Sequence, residues 1–116
     1  MPWSPSPESL KGEALVIAAL EKHWHARQSI RPASEHRKFY DVGFILPYGT
    51  IRLVEIKTDF KARTTGNAYF EYENTYRKEP SGLLSTKADI WAHYVPCLEA
   101  ILLCCPHALC WYLKTH

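Results

Sequence analysis

No stretch of this chain is long and apolar enough to cross a membrane; its most apolar segment, Ala100 to Cys105, has the length of a strand. Charge of one sign is also missing. The 14 Lys and Arg stand against 12 Asp and Glu, and the resulting +2 permits a nucleic-acid partner without requiring one. No Cys-x-x-Cys pair occurs among Cys97, Cys104, Cys105 and Cys110. The side chains of Cys104, Cys105, His107 and Cys110, with His93, are of the types that bind zinc, but Cys104 and Cys105 would face opposite ways at a strand's end. Small buried thiols are the better account of them. The opening residues Met1 to Pro7 show neither a basic leader nor an apolar signal core, so positions 1–7 are expected to be a loose tail. A cytoplasmic address and unpaired thiols are the corresponding expectations. Internal repeats and low-complexity segments are absent as well.

What is present suffices for one core. The chain has 116 residues, 47% of them apolar, and its aromatics comprise 4 Trp, 7 Tyr and 4 Phe, so positions 8–116 are expected to form a single domain. Leu10, Leu15, Val16, Ala19 and Leu20 recur at helical spacing after a Ser cap, which predicts a first helix from about Glu8 towards Trp24. A connection follows from Ala26 to His36, with a short strand near Ser29 and Ile30. Strands are predicted at about 38–46 and 51–58, joined by a hairpin turn at Pro47-Tyr48-Gly49-Thr50. The aromatic-rich run Ala68 to Glu73 reads as a third strand, followed by a short helix near Ser85 to Ile90. Two last strands, Trp91 to Val95 and Glu99 to Cys104, break at Pro96, and a terminal helix covers His107 to Lys114. This order implies an α/β fold whose sheet carries helices on both sides.

Three residues on these elements call for a chemical explanation. The segment Thr50 to Lys57 alternates and is rich in β-branched residues, so Ile51, Leu53, Glu55 and Lys57 should share one face, taken here as the apolar side. Across the hairpin, Asp41 would lie near Glu55. Two adjacent carboxylates repel unless a divalent cation lies between them, and Mg²⁺ accepts one or two carboxylates while keeping several waters. A lysine at such a site can orient or deprotonate a water and offset charge developing on a phosphate. The plain alternative is a surface hairpin with an ordinary salt bridge.

Asp41, thirteen intervening residues and then Glu55-Ile56-Lys57 at the end of an apolar strand resemble the PD-(D/E)XK nuclease superfamily. Gly12-Glu13 in the first helix matches the place of a glutamate carried by its archaeal Holliday-junction resolvases and several phage nucleases. Thr65-Gly66-Asn67, Glu71, Pro80 to Leu83 and Thr86 to Trp91 look like small phage and bacterial members, so the likeness runs from about position 12 to 91. One departure is Tyr40, where proline precedes the aspartate in the family pattern.

The resemblance implies an αβββαβ restriction-endonuclease-like core with a central mixed sheet flanked by helices. It also implies a metal-dependent endonuclease acting on DNA, with junction or branched DNA favoured. Asp41, Glu55 and the backbone carbonyl of Ile56 would hold Mg²⁺ or Mn²⁺, and Lys57 would position the attacking water. Glu13 would hydrogen-bond the metal's waters or bind a second ion, although a first-turn glutamate is also what a helix dipole favours. Lys61, Arg63, Thr65 and Asn67 follow the site and could hold neighbouring phosphates, or simply solvate a loop. Lys87 could reach a phosphate or solvate its helix, and Glu71 could join the site or face solvent. His23 and His25 carry no assigned chemistry. A small domain covers little duplex, so cutting both strands calls for a homodimer. The rival is a catalytically silent nucleic-acid-binding module of the same fold.

Overall fold

A long helix opens the fold because its sequence satisfies both ends and one face. The computed structural model describes residues 7–33, 39–60, 73–74, 79–80 and 86–108. Helix α1 spans Pro7–Trp24, with Glu8 in its first turn and Lys22 and His23 in its last, the charge arrangement that complements the helix dipole. Gly12, Val16 and Leu20 recur every fourth residue and form its buried stripe. The helix stops at His25, which takes a left-handed conformation with φ 52° while the Ala26 amide donates to the Glu21 carbonyl at 3.0 Å.

Five strands build the central sheet: β1 (Gln28–Ile30), β2 (Val42–Ile45), β3 (Ile51–Thr58), β6 (Ile90–Val95) and β7 (Ala100–Cys104), in the order β1-β2-β3-β6-β7. The intervening β4 (Glu73–Asn74) and β5 (Glu79–Pro80) pair with each other in a separate ribbon. Strand β3 runs antiparallel to β2 and parallel to β6, so the sheet is mixed, as expected. The β2–β3 turn falls at the expected Pro47 to Thr50, where Gly49 holds φ 84° and the Leu46 amide donates to the Thr50 carbonyl at 2.8 Å. A 3₁₀ turn at Pro96–Leu98 breaks β6 from β7 at the proline that marked the break.

Helix α1 covers one face of this sheet. Val16 and Leu20 bury against Val42, Phe44, Val54 and Ala92, with Ile56 and Tyr94 packed beside them. Trp24 meets Phe44 edge to face at 5.4 Å between ring centres. The pleat then puts Leu53, Glu55 and Lys57 on the opposite face from Val54 and Ile56. Glu55 and Lys57 thus share a face, as expected, but it is not the one α1 packs on. Trp91 and His93, aligned with Glu55 and Lys57 across the parallel pair, are buried on that second face. Both faces of the sheet's centre are therefore covered, which is why apolar residues occur at odd and even positions of β3.

Three expectations shift. The strands after α1 are β1, β2 and β3; of the run from Ala68 to Glu73 only Glu73 is described, and it belongs to the separate ribbon. Residues 86–89 are not helical. The Lys87 amide donates to the Phe39 carbonyl at 2.8 Å, the Asp89 amide donates to the Leu53 carbonyl at 2.7 Å, and the Asp89 carboxylate accepts from the Leu53 amide at 2.9 Å. A Thr and an Asp that bond neighbouring backbone compete with helix formation, and here they win. The described thiols also differ, since Cys97 and Cys105 are exposed and Cys104 is partly covered. Positions 1–6 of the expected tail, Cys110 and most of the expected terminal helix lie outside the described residues, while 106–108 are helical.

Candidate active site

The site forms where β3 outruns β2. The β2–β3 ladder ends at the pair Val42 and Val54, and one residue earlier the Asp41 amide still donates to the Val54 carbonyl at 2.9 Å. Beyond that point the Asp41 side chain takes over from its strand, and its carboxylate accepts from the Ile56 amide at 2.7 Å. A residue's N–H and C=O point to the same side of a strand, so the Ile56 carbonyl faces the side Asp41 occupies, past the last β2 residue in register. An aspartate is needed here because a carboxylate can replace the missing ladder acceptor and still present a second oxygen.

Glu55 comes to the same place from the adjacent position on β3. The charge of Asp41 acts on it there, so the two carboxyls stand close enough to influence each other's ionisation. Burial is the main cause that lifts Asp41 from its ordinary 3.8 to about 6; the Glu13 charge adds to the rise, and the Ile56 amide and Arg31 oppose it. Burial also lifts Glu55, from 4.5 to about 8, followed by the charge of Asp41, with a hydrogen bond from Thr86 opposing. Near neutral pH the pair therefore holds a proton, and Glu55 keeps it to the higher pH.

Glu13 reaches this pair because α1 lies unusually close to β3. A Cβ at Gly12 would collide with the Thr58 hydroxyl, so only glycine allows that approach. Glu13, 17% exposed in its side chain, forms an ion pair with Arg31 just after β1, and its charge acts on both Asp41 and Glu55. Lys57 follows Glu55 on the same face of β3, half-buried, and makes no ion pair with any described residue. Among the described residues no three His, Cys, Asp or Glu side chains form a ready metal-ligand group. The donors at hand are the two carboxyls of Asp41 and Glu55 and the Ile56 carbonyl, with Glu13 standing farther out.

Four of the expected residues, Glu13, Asp41, Glu55 and Lys57, are thus brought to one end of β3, together with the Ile56 backbone. Lys61, Arg63, Thr65, Asn67 and Glu71 lie outside the described residues. Lys87 is exposed and sits at 5.3 Å over the ring of Phe39, the residue two positions before Asp41. Two participants were not anticipated. Arg31 looked like one more cation of a connection, and Thr86 looked like a helix residue. The Thr86 hydroxyl lies 3.0 Å from the Phe39 carbonyl and 3.3 Å from Glu55, and accepts from the Ala88 amide at 3.1 Å. Thr86 thereby ties the approach to β6 to both carboxylate-bearing segments.

The zinc alternative finds no support in its histidine. His93 is fully buried, and its Nδ1 accepts from the Trp91 indole N–H at 3.0 Å. Its Nε2 must then carry the proton donated to Asp59 at 2.8 Å. Cys104 bonds the Trp91 carbonyl through sulfur at 3.6 Å.

No protein-family model and no curated protein matches the chain. Among solved structures it is similar to the bacterial homing endonuclease I-Ssp6803I, with a TM-score of 0.55 and 23% identity over 90% of this chain and 72% of that one. The likeness establishes a shared α/β fold with a mixed sheet. No described helix is long and apolar enough to cross a membrane.

Proposed function

We propose that this chain is an endonuclease of the PD-(D/E)XK type that hydrolyses phosphodiester bonds in DNA with Mg²⁺ or Mn²⁺. The observation that carries this is the half-buried carboxyl pair at the end of β3, Asp41 held by the Ile56 amide and Glu55 by Thr86 with their charges acting on each other, and Lys57 two residues further on the same face. The fold likeness to an endonuclease supports it.

The donors suit a hard divalent cation: all are oxygens, two are carboxyls that repel each other when ionised, and one is the Ile56 carbonyl. Asp41, Glu55 and Ile56 would hold the ion, which supplies Lewis-acid stabilisation of charge on phosphate oxygens when bound. Asp41 is kept in place by the Ile56 amide, and Glu55 by Thr86. Lys57, free of ion pairs among the described residues, points its ammonium at the water that attacks and balances charge gathering on the phosphate. Glu13 holds waters at the rim of the site. Lys87 and the segment carrying Lys61, Arg63, Thr65 and Asn67 contact flanking phosphates, and Glu71 is a further candidate for the catalytic site itself. Junction or branched DNA is the proposed substrate, cut by two copies of the chain acting as a homodimer, one site on each strand.

Digestion of single-stranded, double-stranded and four-way-junction DNA, with RNA alongside, tests this in the presence of Mg²⁺ or Mn²⁺. Cleavage of DNA that needs the ion and disappears in Lys57→Ala is expected. Absence of cleavage on every substrate would discard the proposal in favour of a silent binding module.

A further inference from the structure

Glu13, Asp41 and Glu55 bring three acidic side chains to one end of β3, and the cation that answers them is Arg31. Its position follows from the sheet. Strand β1 pairs with β2 so that Ile30 lies opposite Gly43, which carries the next residue, Arg31, to the level where β2 begins and Asp41 precedes it. From there its guanidinium pairs with Glu13, and its charge also reaches Asp41. The pair is uneven in its surroundings, since the Arg31 side chain is 45% exposed and that of Glu13 only 17%. An ion pair with one partner at the water's edge is weak and opens readily.

We propose that Arg31 is a positioning residue that occupies Glu13 when no divalent cation is bound, so that Glu13 turns to the ion only when Arg31 lets go. This rests on the reading of Asp41 and Glu55 as a divalent-cation site and adds a competitor built into the chain. Arg31 opposes the incoming ion in two ways: its positive charge repels it, and its hold on Glu13 withdraws an acceptor from the ion's waters. Lys57 does not take this part, as it pairs with no described carboxylate.

Binding of Mn²⁺ alone, without nucleic acid, measures the effect by calorimetry on the full chain, with circular dichroism confirming that each variant is folded. Arg31→Gln is expected to tighten Mn²⁺ binding roughly fivefold, the scale of a half-exposed ion pair. Arg31→Lys, which keeps the charge, should bind as the unsubstituted chain does. In a Glu13→Gln background the Arg31→Gln gain should fall to less than about twofold, because only the direct repulsion is then left to remove. Unchanged affinity in Arg31→Gln overturns the inference and leaves the cation site standing. Equal gains with and without Glu13 overturn the route through Glu13. Failure of the unsubstituted chain to bind Mn²⁺ removes the cation site itself and this inference with it.

Discussion

Strand β3 and its end carry two sets of carboxyl groups, one buried and one half-buried, and they have opposite characters. Asp59 accepts from His93, His93 accepts from Trp91, and the amide of Asp59 donates to the Tyr94 carbonyl at 2.7 Å, so every donor there meets an acceptor. Glu55, four residues before Asp59, feels the charge of Asp41, and Glu13 adds a third charge. The first set behaves as structure: a fully paired buried network fixes the register of β3 against β6. The second stores repulsion that folding alone gains nothing from, and such places are where ligands and chemistry are found. Burial of a charge is therefore not the mark of a site; crowding of like charges is.

Substitutions should separate the two sets. Glu55→Gln is expected to lower DNA cleavage by at least about 10³-fold while leaving the thermal midpoint equal or higher at pH 8, because it removes a repelling charge and keeps the hydrogen bonds. His93→Ala should do the reverse first: about 3 kcal/mol lost in urea unfolding, from a cavity and two lost buried hydrogen bonds. If Glu55→Gln unfolds the chain, or His93→Ala costs under about 1 kcal/mol, the division between a working and a structural set fails.

The two sets should also differ in how they answer pH. The folded-state values of Asp41 and Glu55, about 6 and about 8, lie above their ordinary 3.8 and 4.5. A raised carboxyl contributes stability that is complete below its unfolded value and is lost as pH rises through its folded value. The metal-free chain should thus become less stable between about pH 4 and pH 8, with the upper part of that loss absent from Glu55→Gln. Denaturant midpoints at successive pH values check this, and a flat profile in the unsubstituted chain would count against the shared proton. The smallest effect is expected at the rim. Lys87→Ala, a surface cation over Phe39, should weaken DNA binding about twofold at moderate salt and lower the salt slope by about one, alike for all sequences.

Much of this arrangement is legible in the chain itself, for identifiable reasons. The stripe of Val16 and Leu20, the hairpin turn at Gly49 and the spacing of Asp41 from Glu55 are local patterns, and local patterns carry their geometry with them. The core side of β3 is not legible, because Leu53, Val54 and Ile56 make both faces apolar and the sheet is covered twice. Thr86 to Asp89 mislead because their helix propensity loses to hydrogen bonds with Phe39 and Leu53, residues more than thirty positions away. The Arg31–Glu13 and His93–Asp59 pairs stay hidden for the same reason: they are set by how the elements pack, not by neighbours in sequence.

The most direct measurement of the central claim is Mn²⁺ titration by calorimetry at pH 7 in two buffers of different ionisation enthalpy. Because Asp41 and Glu55 share a proton at that pH, one bound ion per chain should release about one proton, and binding should vanish in Asp41→Asn and persist in Asp59→Asn. Binding without proton release, or binding that survives Asp41→Asn, would contradict the claim that this carboxyl pair is the cation site.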